Sequence, residues 1–146
     1  MQINDIVREA LSEDLGSGDI TAAYLDLDPV SSRAFMVAKA PGVLAGVEVA
    51  KQVFKTVDPD LKITVYRKDG DQVQPKDEIL SIEGKAASIL MGERVALNFL
   101  QRLSGIATQT RQMVNALEGT GVRLLDTRKT TPMLRLLEKY AVRVGG

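Results

Sequence analysis

Apolar residues recur at Ile3, Ile6, Val7, Ala10 and Leu11. This three-and-four spacing predicts a short amphipathic helix, with Asn4 as its cap. A polar loop punctuated by two glycines, Glu13 to Thr21, follows it. Residues 33–39 read as a strand that Pro41-Gly42 breaks. Val47, Ala50, Val53, Phe54 and Val57 mark a second amphipathic helix, which Asp58-Pro59 ends because the residue before proline is pushed out of the helical region. Leu61, Ile63 and Val65 alternate with Lys62, Thr64 and Tyr66, the pattern of a half-buried strand. Asp69-Gly70-Asp71 is a turn signal, and Ile79 to Ile82 forms another strand.

From Ala86 the pattern turns helical. Ile89, Leu90, Ala96, Leu97 and Leu100 lie on a long helix over 86–103, which Ser104-Gly105 is expected to interrupt. A further helix runs from about Ile106 to Leu117 and ends at Gly119-Thr120-Gly121. Val122 to Leu125 reads as a short apolar strand. Thr131 suits a helix cap and Pro132 a first helical position, so a helix continues through Leu134, Leu137 and Ala141. Val142-Arg143-Val144 is placed to open the next strand. The order predicts an α+β amino-terminal domain over 1–104, a small sheet packed with helices. Residues 105–146 then hold the first strand-helix unit of an α/β barrel, left incomplete. The whole of such a barrel needs on the order of 200 residues or more, and the chain has 146. No internal repeat or low-complexity segment is seen.

Composition narrows the chemistry. The formal net charge is zero, from 19 basic and 19 acidic residues. A global basic field for nucleic acid is therefore absent. Histidine and cysteine are both missing, so acid–base or metal work falls to Asp, Glu, Lys, Tyr or a substrate group. The amino terminus shows no signal-peptide pattern, and no stretch approaches the roughly 18 apolar residues of a membrane span. A cytoplasmic protein with no membrane partner is the expectation.

The densest chemical signal is Asp126-Thr127-Arg128-Lys129-Thr130-Thr131-Pro132. It lies between an apolar strand and a helix, where parallel α/β folds place ligands. Arginine grips a carboxylate or phosphate with two parallel hydrogen bonds, lysine supplies a movable charge, and a helix start adds N–H groups. These features suit an anion. The run suits equally well a solvated loop in which Asp126 pairs with Arg128. Arg94 has apolar neighbours at Leu90 and Leu97, which favours a stem lying over the core with its head in water. Presentation to an anion across a subunit interface is the alternative. Arg143 is placed to face the same site, whereas Arg102, Arg111 and Arg135 read as solvated helix surface. Glu13, Asp14 and Asp19 could bind Mg²⁺ or transfer protons, but their glycine-rich setting favours a turn.

Three stretches together resemble the quinolinate phosphoribosyltransferases. One is Glu13-Asp14 through Gly18-Asp19-Ile20-Thr21. Another is Glu93 to Leu100 with Leu103-Ser104-Gly105-Ile106-Ala107-Thr108. The third is Asp126 to Pro132, continued by Leu134-Arg135 and by Glu138 to Gly146. The resemblance covers essentially the whole chain. It implies transfer of a phosphoribosyl group from phosphoribosyl pyrophosphate to quinolinate, with loss of pyrophosphate and carbon dioxide, giving nicotinate mononucleotide for NAD biosynthesis. It also implies Mg²⁺ alongside the pyrophosphate group and a homodimer in which Arg94 reaches the neighbouring subunit's site. Thr127, Arg128 and Lys129 would form a substrate-binding wall.

Two departures stand out. The family usually has glycine after Thr-Thr-Pro, where this chain has Met133. The family's glycine run leads into an Asn-His-Arg segment and later acidic and lysine ligands, none of which is in these residues. The 146 residues alone are therefore expected to be inactive. The strand at 122–125 would be a sticky edge, so oligomerisation or disorder after Gly121 is expected unless a partner covers it. Three alternatives remain. One is a same-fold relative using another substrate, nicotinate or one associated with molybdenum transport. Another is a truncated interaction subunit. The last is a lipoyl-type carrier suggested by residues 67–84, which lacks the exposed lysine at a hairpin tip that a carrier needs.

Overall fold

The computed structural model describes residues 2–16 and 30–146. The expected loop from Gly18 to Thr21, with Asp19, lies outside the described residues. Helix α1 is Ile3–Leu15, followed by strands β1 (Ser31–Val37) and β2 (Gly42–Val43) and helix α2 (Val47–Val57). Strands β3 (Lys62–Val65), β4 (Gln72–Val73) and β5 (Glu78–Lys85) come next. Helices α3 (Ala86–Ala116) and α4 (Arg135–Gly145) complete the described part. It is the expected α+β arrangement of a small sheet with helices, and the described residues form no closed barrel.

Helix α1 buries Ile6, Val7 and Leu11. Its cap is Gln2 rather than Asn4, and the Asp5 carboxylate accepts the Gln2 N–H at 2.7 Å, which secures the helix start. Strands β1, β5 and β3 form an antiparallel sheet in that order, with Ala34 and Ile63 opposite Ile82, and Met36 and Val65 opposite Leu80. Residues 79–82 are all buried, as expected of a central strand covered on both faces. Gly42, expected to break a strand, pairs with Val73 in a second, two-stranded sheet.

Helix α3 is the spine of the molecule. Its 31 residues correspond to about 46 Å of helix. Ile89, Val95, Ala96, Phe99, Leu100, Leu103 and Ala107 are buried along it. The expected interruption at Ser104-Gly105 does not occur. Gly105 is exposed with nothing near it. Its helix penalty of about 1 kcal/mol is outweighed by the burial of Leu103 and Ala107 on either side. Ser104 ties α3 to the chain beyond β2 by accepting the Ala45 N–H at 3.0 Å. Thr108 accepts the Val43 N–H at 2.9 Å and donates to the Ser104 carbonyl at 2.7 Å. Both glycines flanking this junction fit it closely. A Cβ on Gly42 would stand 2.8 Å from Thr108 Oγ1, and one on Gly46 would stand 2.8 Å from Leu103 Cδ1.

Three expectations after Gly121 need correction. Residues 122–125 are not a strand: no strand among the described residues pairs with them, and without a ladder their backbone polar groups are left to solvent. Val122 is 61% and Leu125 79% exposed. Pro132 is not the first helical residue, because Thr131 to Leu134 form a turn closed by the Leu134 N–H on the Thr131 carbonyl, and α4 starts at Arg135. Residues 142–144 stay in that helix. Leu137, Ala141 and Gly145 form its buried stripe, and the Arg111 guanidinium holds the last carbonyls, Nε on Gly145 at 2.8 Å and Nη2 on Val144 at 3.4 Å. Packing and this C-terminal cap override the strand preference of the two valines.

Candidate functional site

The Asp126–Pro132 run is an exposed loop crossing from the end of α3 to α4. Thr127 Oγ1 accepts the Lys129 N–H at 3.0 Å, a local turn that fixes the backbone between the two cations. Asp126 does not pair with Arg128 as one sequence reading supposed. It accepts from Lys139 Nζ at 2.8 Å, because α4 brings that lysine back over the loop. Arg135, exposed on α4 as expected, also reaches the loop. Its Nε donates to Thr130 Oγ1 at 3.1 Å and its Nη2 to the Arg128 carbonyl at 3.4 Å.

Beneath the loop lies Glu138, a carboxylate only 9% exposed. Its Oε2 accepts the Thr131 N–H at 3.1 Å, and its Oε1 accepts Arg102 Nε at 3.1 Å and Nη2 at 2.5 Å. Arg102 Nη2 also donates to Thr131 Oγ1. Burial works to raise the Glu138 pKa. The Thr131 and Arg102 hydrogen bonds and the Arg102 charge outweigh it and hold the carboxylate below its ordinary range. Arg102 was expected to be solvated helix surface. The signal for its pairing was a charge on the same helix run as Leu103 and Phe99, but sequence spacing cannot show which distant acid meets it.

Arg94 belongs to α3, two helical turns before Arg102. Its Nη1 donates to Asp14 Oδ1 at 2.9 Å, while its side chain remains 68% exposed. Asp14 is thus engaged in an ion pair across α1 and α3. Thr127, Arg128 and Lys129 sit together on one loop, while Arg94 is on a separate element. Among the described residues, no hydrogen bond or ion pair engages the side chains of Arg128 and Lys129, so both are presented to solvent. Arg143, with Arg123 and Lys139, lines an open cleft of about 790 Å³ between the 123–126 segment and α4.

A family model described as "Quinolinate phosphoribosyl transferase, N-terminal domain" matches residues 19–104, and its C-terminal-domain counterpart matches 106–146. The chain belongs to the quinolinate phosphoribosyltransferase family. It is 43% identical to a probable nicotinate-nucleotide pyrophosphorylase (carboxylating) of Bacillus subtilis over 146 residues, all of this chain and 50% of the relative. It is 44% identical to a mitochondrial quinolinate phosphoribosyltransferase (decarboxylating) of Nicotiana tabacum, over 99% of this chain and 41% of the relative. Among solved structures, NadC from Streptococcus pyogenes superposes with a TM-score of 0.95 at 46% identity, covering 99% of this chain and 52% of that one. Nicotinate-nucleotide pyrophosphorylase from Ehrlichia chaffeensis gives 0.94 at 39% identity, covering 100% and 53%. The chain thus spans about half the length of these relatives.

The family assignment sharpens two features. Met133, which follows Thr-Thr-Pro, has a φ of +68°. That is left-handed backbone, which glycine adopts without strain and methionine does not. The donor set bears on the metal. Among the described residues, no group of three or more His, Cys, Asp or Glu side chains is arranged to hold a metal ion. No helix among them is long and apolar enough to cross a membrane.

Proposed function

We propose that the chain serves phosphoribosyl transfer from phosphoribosyl pyrophosphate to quinolinate, with decarboxylation to nicotinate mononucleotide, in NAD biosynthesis. The observation that carries this reading is the Arg128–Lys129 pair. Both side chains are exposed on a loop whose backbone is pinned from below. Quinolinate is a dicarboxylate and its co-substrate is polyphosphorylated, so fixed cations are what two such anions require. In this reading Arg128 and Lys129 bind the anions and Thr127 lines the same wall. Arg94, largely exposed on α3, serves a neighbouring subunit's site in a homodimer. The work of these residues is to hold the two substrates together and neutralise the charge that develops on the leaving pyrophosphate. Mg²⁺ belongs to this scheme as a companion of the pyrophosphate group.

The test is an NMR-detected titration of this chain with quinolinate, using nicotinate as the monocarboxylate control. Shifts at Thr127 to Lys129 that saturate at lower quinolinate than nicotinate concentration, and that R128A weakens at least tenfold, are expected. Equal response to both acids, or binding unchanged by R128A, overturns the reading.

A further inference from the structure

Helix α4 meets the cationic loop through Arg135, Glu138 and Lys139, the i, i+3, i+4 spacing of one helix face. Each grips a different part of the loop: Arg135 the Arg128 carbonyl and Thr130 hydroxyl, Glu138 the Thr131 N–H, and Lys139 the Asp126 carboxylate. None of the three touches the side chains of Arg128 or Lys129 by a hydrogen bond or ion pair. The face therefore fixes the backbone and leaves the anion-binding groups outward. Glu138 differs from its two neighbours in being buried and in being held from behind by Arg102 of α3. A surface ion pair such as Lys139–Asp126 constrains little. A buried carboxylate with three donors on it constrains strongly, since each lost partner leaves an unsatisfied charge.

We propose that Glu138, oriented by Arg102, is a positioning residue that sets the placement of Arg128 and Lys129 by anchoring Thr131 to the α3 spine. The proposal rests on the reading of Arg128 and Lys129 as anion ligands. Glu138 does not touch substrate in it. It converts the rigid helix into a fixed origin for a loop that otherwise lacks sheet support, because residues 122–125 pair with no strand among the described residues.

The experiment uses this chain, inorganic pyrophosphate as probe, and the variants E138A and E138Q. Glutamine keeps an acceptor for the Thr131 N–H while removing the charge. In E138A, amide exchange at Thr131 and across 126–132 is expected to accelerate at least tenfold. Amides of α2 and the three-stranded sheet should keep their wild-type rates. Pyrophosphate affinity, read from the Arg128 and Lys129 resonances, should fall at least tenfold, and E138Q, whose one amide oxygen can serve Thr131 but not Arg102 as well, should restore only part of both losses. Wild-type exchange at Thr131 in E138A overturns the proposal. So does faster exchange with unchanged pyrophosphate affinity, which would leave Glu138 a merely structural group. If the wild-type chain fails to bind pyrophosphate, the assignment of Arg128 and Lys129 as ligands falls and the ligand-positioning proposal falls with it. The exchange rates then still report whether Glu138 anchors the loop.

Discussion

Tyr140 of α4 donates its hydroxyl hydrogen to Asp69 Oδ2 at 2.5 Å, and the other oxygen of the same carboxylate accepts the Val47 N–H at 2.8 Å. Asp69 therefore caps the start of α2 from a distant turn while receiving α4. Helix α2 begins after Gly46, a residue with no side chain to cap it, so the cap comes from elsewhere in the chain. One carboxylate joins the amino-terminal sheet region to the helix that carries Glu138.

This bond predicts an alkaline weak point. Burial, the Asp69 hydrogen bond and the Asp69 and Glu48 charges push the Tyr140 pKa up to about 12. Its ordinary value is about 10. The folded chain thus holds the phenolic proton more tightly than the unfolded chain. The contribution is fully present below about pH 10 and is lost as pH rises through about 12. Urea midpoints measured at pH 9 and pH 11 should fall more steeply for the wild type than for Y140F. At neutral pH, Y140F should cost about 0.5–1.5 kcal/mol, the net worth of one hydrogen bond. Parallel midpoints for the two proteins across that range would refute the assignment.

Met133 carries left-handed strain that a glycine at this position would avoid. It is 68% exposed, so little packing is lost by shortening it. M133G should therefore stabilise the chain. Left-handed backbone costs a non-glycine residue about 1–2 kcal/mol, and glycine's greater freedom in the unfolded chain returns roughly 0.5–1 kcal/mol of that. The expected gain is about 0.5–1 kcal/mol by urea denaturation. Lys76 offers an internal comparison. It has φ +78° in the Gln74–Asp77 turn after Pro75, the position that favours glycine in a type II turn. K76G should gain a similar amount, and a loss in both variants would show that neither residue is strained.

The Leu103 to Thr108 stretch, prominent in the family resemblance, acts here as a clamp on β2. T108V is nearly isosteric and removes the acceptor of the Val43 N–H at a buried residue. It should destabilise by about 1–3 kcal/mol, the cost of leaving a buried donor unmade. T108S, which keeps the hydroxyl, should lose less than half as much. Thermal or urea unfolding of the pair decides the point, and equal loss in both would assign the effect to the methyl group instead.

What could be read from the sequence follows a physical division. The faces of α1 and α2 and the alternation in β3 were legible because burial there is local and periodic: Ile6, Val7 and Leu11, or Val53 and Phe54, report their own partner surface. The long-range terms were not legible. Gly105 signals a break by its own propensity, yet Leu103 and Ala107 carry the helix through it. Val142 and Val144 signal a strand, yet Gly145 and Arg111 settle them in a helix. Asp126 has Arg128 two residues away, but it pairs with Lys139 because α4 folds back over the loop. The Asp126–Pro132 run was visible as a cluster of cations with a cap-like threonine. The Arg102–Glu138 support under it was invisible, since the two residues are 36 positions apart and meet only through helix packing.

Gly145 tests how closely that packing is set. It follows Val142-Arg143-Val144, which the sequence places to open a strand, yet it is a point of close approach between α4 and α3. A Cβ there would stand 2.5 Å from the Ala107 carbonyl oxygen and 2.6 Å from Thr110 Cβ. Backbone is one of the two clashing partners, so a side-chain rotation cannot relieve the contact. No left-handed φ is involved at this helical position, which makes the effect of a methyl group purely steric. G145A should therefore cost about 1–3 kcal/mol, the range for overpacking. The Arg111 cap on the Gly145 carbonyl would be displaced with it. Because α1, α2 and the sheet have their own core contacts, the loss should concentrate in α4. Amide exchange in residues 135–145 is expected to accelerate while the Leu80 and Ile82 amides of β5 stay protected. Uniform acceleration across the chain would instead show that α4 and the sheet unfold as one unit. Unchanged exchange in α4 would show that the two helices can separate to admit a methyl group.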